Sequence, residues 1–354
     1  MPTHLANIQK SSAKSPLVSV VILNYNGLKY MGTGLRECLD SVLMSDYPNL
    51  EVIFVDNGSV DKSASFIEEN FRSKVRVIRN NSNLGFSEGF NTGIRGSKGE
   101  YVTLLSNDMT VERNWLNPII DLMESNPQVG LGGFKRFRVG AQGSDKLLDG
   151  IGGDLYLCGR VKPIGHKEID KAQYDTNIDN LDFIGGAMVL RRKTLQRVGL
   201  LDPVFSVFSE DVDLCFRIRK SGYKTVYVHN AEIWHKGQAT IKGMDPKGSY
   251  LEYMGYRNRI RCNLIHFTLK RILATFLIDA VWFFTMRSIK SKKILLKAYL
   301  WNLSNIAVTL DKRLAYGPSP PFGCKSPVIS FNLSDIKKWI LAAFGFQVNR
   351  KLAN

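Results

Sequence analysis

Leu17-Val-Ser-Val-Val-Ile-Leu23 and Leu50-Glu-Val-Ile-Phe-Val55 are short, continuous runs of apolar and β-branched residues, and each ends in a polar turn. The first run is followed by Asn24-Tyr-Asn-Gly27 and the second by Asp56-Asn-Gly-Ser59. Runs of this length and composition are typical of parallel strands that are buried on both faces. We therefore predict that both runs lie inside one parallel sheet.

Further strands and helices alternate along the chain. The patterns predict strands at 75–78, 101–105, 187–190 and 224–229, and helices at 35–43, 63–71 and 87–96. This alternation predicts an α/β fold, with a mostly parallel sheet flanked by helices. Such sheets bind ligands at the carboxyl ends of their strands. Those ends carry Asn24, Asn26, Asp56, Asn83 and Asp108, which predicts a polar ligand site at that edge.

Three carboxylates, Glu210, Asp211 and Asp213, interrupt an otherwise apolar and aromatic run. Ser206 and Ser209 are suitable helix caps, so we predict a helix with the carboxylates in its first turn. On a helix, 210 and 213 share a face while 211 points elsewhere. A carboxylate at the mouth of an apolar pocket suits a general base. An acidic first turn is also common in helices without any such role.

Charged residues are distributed unevenly along the 354-residue chain. Residues 251–354 hold 17 Lys and Arg against 4 Asp and Glu, interleaved with aromatic and aliphatic residues, and so carry most of the net charge of +16. We predict a disordered polar tail over 1–15, a main α/β domain over 16–250 and a basic helical extension over 251–354. Five scattered cysteines without CxxC pairs indicate free thiols in a reducing compartment and argue against a zinc site.

The basic extension contains an apolar stretch over 272–286 that includes Asp279. Because a spanning helix needs roughly 20 apolar residues, we predict a helix lying in the plane of an anionic membrane surface. A soluble helical cap packed on the main domain remains open, and so does nucleic-acid binding. The weakly periodic segment 135–182 is predicted to form long loops or a small insert, and 237–249, which has few apolar residues, a mobile loop. Residues 316–330 are predicted to be a linker and 334–346 a second amphipathic surface helix.

Seven short motifs follow one another along the chain. They are Val18-Ser-Val-Val-Ile-Leu-Asn-Tyr-Asn-Gly27, Val55-Asp-Asn-Gly-Ser-Val-Asp61, Asn83-Leu-Gly-Phe-Ser-Glu-Gly-Phe-Asn-Thr-Gly93, Leu104-Leu-Ser-Asn-Asp-Met-Thr110, Phe183-Ile-Gly-Gly-Ala-Met-Val-Leu-Arg-Arg192, Ser209-Glu-Asp-Val-Asp-Leu-Cys-Phe-Arg217 and Trp234-His-Lys-Gly237. In this order the chain resembles inverting glycosyltransferases of family 2, which have the GT-A fold, and is similar to their rhamnosyltransferase-like members. The resemblance covers about residues 18 to 260.

The resemblance implies a nucleotide-sugar donor held at the strand ends. The implied donor-binding residues are Asn24, Tyr25, Asn26, Asp56, Asn57, Asn83, Gly85, Asn91 and Asn107. Asp56 would accept hydrogen bonds from the base or ribose, although an aspartate before Asn57-Gly58 can also serve only to form an Asx-turn. Gly185 and Gly186 would line the acceptor pocket.

A divalent cation, Mn²⁺ or Mg²⁺, is also implied. Asp108 matches the last acid of the family's metal-binding DxD motif, which here reads Ser106-Asn107-Asp108 and keeps one carboxylate. His235 matches the histidine that completes that site, and an imidazole ligand favours manganese.

The resemblance further implies that Asp211 is the base that deprotonates the acceptor hydroxyl and that Glu210 orients the acceptor. The implied reaction is a single displacement that moves a sugar from dTDP-rhamnose or a UDP-hexose to a lipid-linked or cell-envelope glycan. We expect a cytoplasmic enzyme that is peripheral on the inner face of the cell membrane, without a nucleic-acid partner. A non-catalytic scaffold or nucleic-acid-binding protein with a degenerate transferase domain is the alternative that the altered DxD motif leaves open.

Overall fold

A computed structural model of the protein describes residues 15–140, 146–237, 243 and 245–316. Almost all of the predicted N-terminal tail and six of the thirteen residues of the predicted 237–249 loop lie outside the described residues. The same holds for the predicted surface helix at 334–346 and for all but the first residue of the predicted linker at 316–330.

The described residues form a mixed α/β fold. The strands are β1 (Val18–Asn24), β2 (Leu50–Asp56), β3 (Arg76–Arg79), β4 (Tyr101–Ser106), β5 (Met109–Val111), β6 (Val129–Arg138), β7 (Leu148–Gly150), β8 (Gly153–Leu155), β9 (Val161–Pro163), β10 (Ile178–Asp179), β11 (Ala187–Arg191) and β12 (Lys224–His235). The helices are α1 (Gly27–Met31), α2 (Gly34–Leu43), α3 (Ser63–Phe71), α4 (Gly85–Gly96), α5 (Asn117–Ser125), α6 (Arg192–Val198), α7 (Glu210–Lys220), α8 (Ser249–His266), α9 (Leu269–Thr285), α10 (Ile289–Ser304) and α11 (Ile306–Tyr316).

The main sheet has the strand order β10-β12-β6-β11-β4-β1-β2-β3. Strands β3, β2, β1 and β4 are mutually parallel, whereas β11 runs antiparallel to both β4 and β6. All seven residues of β1 are buried, as expected for a strand covered on both faces. In the register, Asn24 pairs with Asp56 and Leu23 with Ser106, so three carboxyl ends meet at one edge. The predicted fold class is therefore confirmed.

Strand β6 corrects one prediction, because it extends to Arg138, into the segment from residue 135 predicted to form long loops or a small insert. Its glycines remove the β-branched pattern that would have predicted a strand. They are required by packing, since a Cβ at Gly132 would lie 2.6 Å from Ile119 Cγ2. Strand β12 also continues to His235, beyond the predicted end at 229, through a register shift between Val228 and Glu232.

The C-terminal helices pack on the α/β domain. Phe216 of α7 belongs to one buried cluster with Cys262 and Ile265 of α8. Helix α9 buries only a narrow face, on which the Asp279 carboxylate accepts hydrogen bonds from Arg259 and from the Tyr299 hydroxyl, both at 2.5 Å. None of the helices within the described residues has the length and apolar character needed to cross a membrane.

Candidate active site

Buried amide and carboxylate groups meet where β1, β2 and β4 end. Asn24 donates from Nδ2 to Asp56 Oδ1 at 3.1 Å and accepts at Oδ1 from Asn107 Nδ2 at 2.7 Å. All three side chains are at most 5% exposed. The tertiary structure thus brings together three of the predicted donor-binding residues. The Asp56 carboxylate also accepts from the backbone N–H of Ser59 at 3.3 Å and from its hydroxyl at 2.5 Å, so it holds the local turn as well.

Asn26 holds the same turn from the other side. Its backbone is left-handed, with φ of 51°, and its Oδ1 accepts from the backbone N–H of Val60 at 2.8 Å. Tyr25 beside it is half-buried. The Asn26 side chain therefore fixes the loop after β2 rather than pointing freely into a pocket.

The second predicted donor segment, residues 83–85, is tied to β2 through Asn57. Asn57 Nδ2 donates to Asn83 Oδ1 at 3.1 Å and to the Gly85 carbonyl at 3.0 Å. Gly85 has φ of +80° and lies against Ser206, so a side chain at this position would overlap the Ser206 hydroxyl. Asn91, in α4, is farther from this edge along the helix and pairs with the backbone of Leu201 at 2.8 and 3.1 Å.

Asp108 directly precedes β5, and His235 lies beside it at the end of the neighbouring strand β12. His235 Nε2 lies 3.2 Å from Asp108 Oδ2, and its Nδ1 lies 2.9 Å from Asp149 Oδ2. Burial lowers the pKa of His235, but the two carboxylate hydrogen bonds outweigh burial and raise it to about 9. A carboxylate on the far ring nitrogen is the usual second partner of a metal-binding histidine. No sequence pattern points to Asp149, because it lies in a segment with only weak periodicity.

One cation could contact both Asp108 Oδ2 and His235 Nε2, since these atoms lie close together and both are good ligands for Mn²⁺. Within the described part of the chain, no group of three or more His, Cys, Asp or Glu side chains is placed to hold a metal. The donor set therefore fits a cation that takes its remaining ligands from a bound diphosphate.

Arg136, to which no sequence motif points, connects this pair to the acidic helix. Its guanidinium donates to the Gly185 carbonyl and lies 3.6 Å from Asp149. Burial lowers the pKa of Arg136, and the charges of Asp149 and Asp211 oppose that shift. The buried Arg136 guanidinium thus lies between the Asp108–His235 pair and Asp211.

In the first turn of α7, the Asp211 side chain is half-buried, whereas Glu210 and Asp213 are at most 5% exposed. Burial raises the pKa of Asp211 to about 6, although the backbone N–H groups of residues 212 and 211 and the charge of Arg136 lower it. Burial and the neighbouring Asp211 charge raise the pKa of Glu210 well above its usual range. Glu210 Oε2 has no hydrogen-bond partner among the described residues. The two carboxyl groups therefore border a small pocket, and burial raises the pKa of both.

Asp213 serves a structural role. Its carboxylate accepts from Arg217 at 2.8 Å and from His266 Nε2 of α8 at 2.8 Å. The predicted serine cap is wrong, because Ser209 has φ of 69° and its side chain caps no N–H group.

Gly185 lies directly behind the Asp211 carboxylate, and a Cβ there would overlap Asp211 Oδ2. We therefore expect Gly185→Ala to displace Asp211 and to lower kcat by about 100-fold, the typical effect of a misplaced catalytic group. Steady-state kinetics would measure this effect. Gly255→Ala is the matched control, because a Cβ at that helical position meets nothing within 4 Å. A Gly185→Ala enzyme with more than half the wild-type kcat would contradict this account.

The parallel strand ends, the single carboxylate paired with a histidine, and the acidic helix beside them define the GT-A class of α/β proteins. The crystal structure of GalNAc-T7 with UDP, GalNAc and Mn²⁺ matches with a TM-score of 0.57 and 17% identity, over 83% of this chain and 57% of that chain. The crystal structure of S. aureus TarS matches with a TM-score of 0.52 and 15% identity, over 79% of this chain and 47% of that chain.

The chain belongs to glycosyl transferase family 2, whose family model matches residues 19–199, about half of its length. An uncharacterised glycosyltransferase of Haemophilus influenzae is 30% identical over 51% of this chain and 54% of its own length. Glycosyltransferase GlyG of Streptococcus pneumoniae is 32% identical over 35% of this chain and 40% of its own length. The matches to the curated relatives span between 25% and 60% of the relatives' lengths.

Proposed function

We propose that this protein is an inverting glycosyltransferase that moves a sugar from a nucleoside-diphosphate donor to a hydroxyl of a lipid-linked or cell-envelope glycan. One observation carries the proposal: the amide–carboxylate network at Asn24 and the Asp108–His235 pair lie at one sheet edge, to which Asp211 of α7 is connected. The connection runs through Gly185 and Arg136. Family membership supports the same reaction class.

On the donor side, the Asp56 carboxylate supplies oxygens that suit the hydroxyl and N–H groups of a nucleoside, and the buried Asn24 amide holds that carboxylate in place. Seven further residues shape this donor site: Tyr25, Asn26, Asn57, Asn83, Gly85, Asn91 and Asn107. Both amide atoms of Asn57 and of Asn91 are engaged by protein groups, and Asn26 Oδ1 holds the loop after β2, so the part of these residues is to hold the loops that contact the donor. The donors we propose are dTDP-rhamnose or a UDP-hexose.

In the proposed reaction the acceptor oxygen attacks the anomeric carbon while the bond to the diphosphate breaks on the opposite face. The Asp211 carboxylate takes the hydroxyl proton, which its pKa of about 6 allows at neutral pH. Glu210 orients the acceptor, and Gly185 and Gly186 leave room for it beside Asp211. Asp108 and His235 would hold a Mn²⁺ or Mg²⁺ ion, which stabilises the negative charge on the departing diphosphate.

A thermal-shift screen of nucleotide sugars tests the donor proposal, because a ligand that binds only the folded state raises Tm. We would compare dTDP-rhamnose with UDP-glucose, UDP-galactose and GDP-mannose, each with and without Mn²⁺, and then assay hydrolysis and transfer. A Mn²⁺-dependent stabilisation by one donor is expected. The absence of any response would instead favour a non-catalytic scaffold.

For the acceptor, we propose that the basic extension holds the enzyme on an anionic membrane surface. The side of α9 away from the protein exposes six large apolar residues at helical spacing, Leu269, Leu273, Phe276, Leu277, Val281 and Phe284. The adjoining exposed cations are Lys270, Arg287, Lys290, Lys293 and Lys297. An apolar face bordered by lysines and arginines suits the interface of an anionic bilayer, where each cation contributes about 1 kcal/mol. This would place the enzyme peripherally on the inner face of the cell membrane.

We expect the protein to float with anionic vesicles and not with neutral ones, and binding to weaken as salt rises. The double substitution Leu277→Glu with Phe284→Glu should reduce binding by at least about tenfold, since it places two charges in the apolar face. Met44→Glu, at an exposed apolar residue far along the chain from the extension, is the control. Stronger retention on DNA than on vesicles at equal salt would instead assign the extension to nucleic acid.

A further inference from the structure

The segment 204–209, here called the base loop, leads directly into the acidic turn of α7. Three of its residues, Ser206, Phe208 and Ser209, have positive φ values of 59°, 67° and 69°. Residues with a side chain rarely adopt this conformation, which costs of order 1–3 kcal/mol at each site and persists only where the surroundings impose it. Something outside the loop must therefore hold it.

That restraint comes from α8. Asn258 is completely buried, and its Nδ2 lies 2.5, 2.7 and 2.9 Å from the carbonyl oxygens of Phe205, Val207 and Phe208. Its Oδ1 accepts from Arg257 Nε at 2.8 Å. Both polar atoms of this amide thus have partners, and all three partners of Nδ2 are backbone carbonyls of the base loop.

Arg257 adds a second grip from the same helix. Its guanidinium donates to the carbonyls of Val204 and Phe205 at 2.5 and 3.3 Å and lies over the Trp301 ring of α10, 4.5 Å from its centroid. Five side-chain-to-backbone contacts from two neighbouring residues therefore fix one strained loop.

The base loop also contacts the donor side of the site. The Ser206 carbonyl accepts from the backbone N–H groups of Phe86 and Ser87, at 2.7 and 3.0 Å, in the first turn of α4. Asp213 N donates to the Ser209 carbonyl at 2.9 Å, which closes the first turn of α7 around Asp211. A shift of the loop would thus move Asp211 relative to the 83–87 segment.

We propose that Asn258 is a positioning residue for sugar transfer. Without touching substrate, it holds the base loop in its strained conformation and so sets the distance between Asp211 and the donor-binding segment. The helical extension then completes the active site as well as carrying the membrane-binding face. This inference rests on the proposed role of Asp211 as the base.

The test uses the full chain with Asn258→Ala and Asn258→Asp, the latter replacing the N–H donors with oxygens that repel the carbonyls. Below the unfolding temperature of each variant, we expect kcat to fall about 100-fold and KM for the nucleotide sugar to change less than about threefold, because the donor contacts on β1 and β2 are intact. Asn263→Ala is the matched control: Asn263 is also buried on α8 and donates to one carbonyl, that of Cys158, at 2.9 Å. Its kcat should stay within twofold of wild type.

Hydrogen exchange provides a readout that needs no activity. The amides of Phe86 and Ser87, together with those of 204–213, should exchange faster in Asn258→Ala and remain protected in Asn263→Ala. If Asn258→Ala does not fold, Arg257→Met removes two of the five contacts while keeping the aliphatic packing on Trp301, and about a tenfold loss of kcat is expected.

The kinetic and hydrogen-exchange measurements distinguish a failure of the proposed function from a failure of the proposed role of Asn258. A wild-type enzyme that transfers no sugar would remove the proposed function, while the exchange data would still decide whether Asn258 holds the loop. Unchanged protection and unchanged kcat in Asn258→Ala would overturn the inference. An equal loss of kcat in Asn263→Ala would also overturn it, because the effect would then be general destabilisation.

Discussion

Asp211→Asn is expected to reduce kcat by about 10³- to 10⁴-fold while leaving the affinity for nucleotide and Mn²⁺ unchanged. The substitution keeps the shape of the side chain and removes its ability to accept a proton. The affinity should persist because the carboxylate contacts the backbone N–H of Val212 and the Gly185 surface rather than the Asn24 network. A transfer assay measures kcat, and calorimetry measures binding. Turnover within tenfold of wild type would rule out Asp211 as the base.

The wild-type pH profile supplies a second check on Asp211. Because its pKa is raised to about 6 and the ionised form is active, kcat/KM should fall tenfold for each pH unit below about 6. The folded protein binds this proton more tightly than the unfolded chain, so the free energy of unfolding falls as pH rises from about 4 to about 6 and stays at its lower value above that range. Asp211→Asn should therefore raise Tm at pH 7 to 8, and the difference should vanish below about pH 4.

Asp154→Asn is the control for these experiments. Asp154 is also a half-buried carboxylate whose pKa is raised by burial, but it lies on β8, outside the proposed site. Its substitution should leave kcat within twofold of wild type. A similar loss of activity in both variants would indicate a general electrostatic effect rather than proton transfer.

His235→Ala is expected to weaken Mn²⁺ binding by about 10- to 100-fold. At a fixed Mn²⁺ concentration, kcat/KM should fall about 100-fold. The imidazole is one of two protein ligands in the proposed site, so its loss leaves Asp108 alone. Electron paramagnetic resonance of free Mn²⁺ measures binding directly, with and without nucleotide. The test therefore does not depend on activity.

His229→Ala, on the same strand β12, is the matched control, because its backbone N–H rather than its ring holds Asn177. It should bind Mn²⁺ as the wild type does. Equal Mn²⁺ affinity in wild type and His235→Ala would contradict the assignment and would leave His235 as a structural link between Asp108 and Asp149.

The local sequence predicted the elements well where a single pattern dominates. The apolar runs that became β1 and β2 required burial on both faces, and parallel pairing then brought Asn24 beside Asp56. The full extent of β6 was not predicted because several of its positions are glycines. Close packing against Ile119 and Ile184, rather than strand propensity, determines the residue at those positions. Ser209 does not cap α7 because the base loop enters the helix in a strained conformation that the sequence does not signal.

The sequence by itself determined the α/β fold, the family and the polar edge of the sheet, because these follow from apolar periodicity and from motifs in which neighbouring residues act together. Only the tertiary structure decided that Asp149 holds His235, that Arg136 stands behind Gly185, and that Asn258 grips the base loop. Those contacts join residues about 50 to 90 positions apart, and no local pattern encodes them. They arise because a buried polar group must find a partner, and packing alone determines which distant group is within reach.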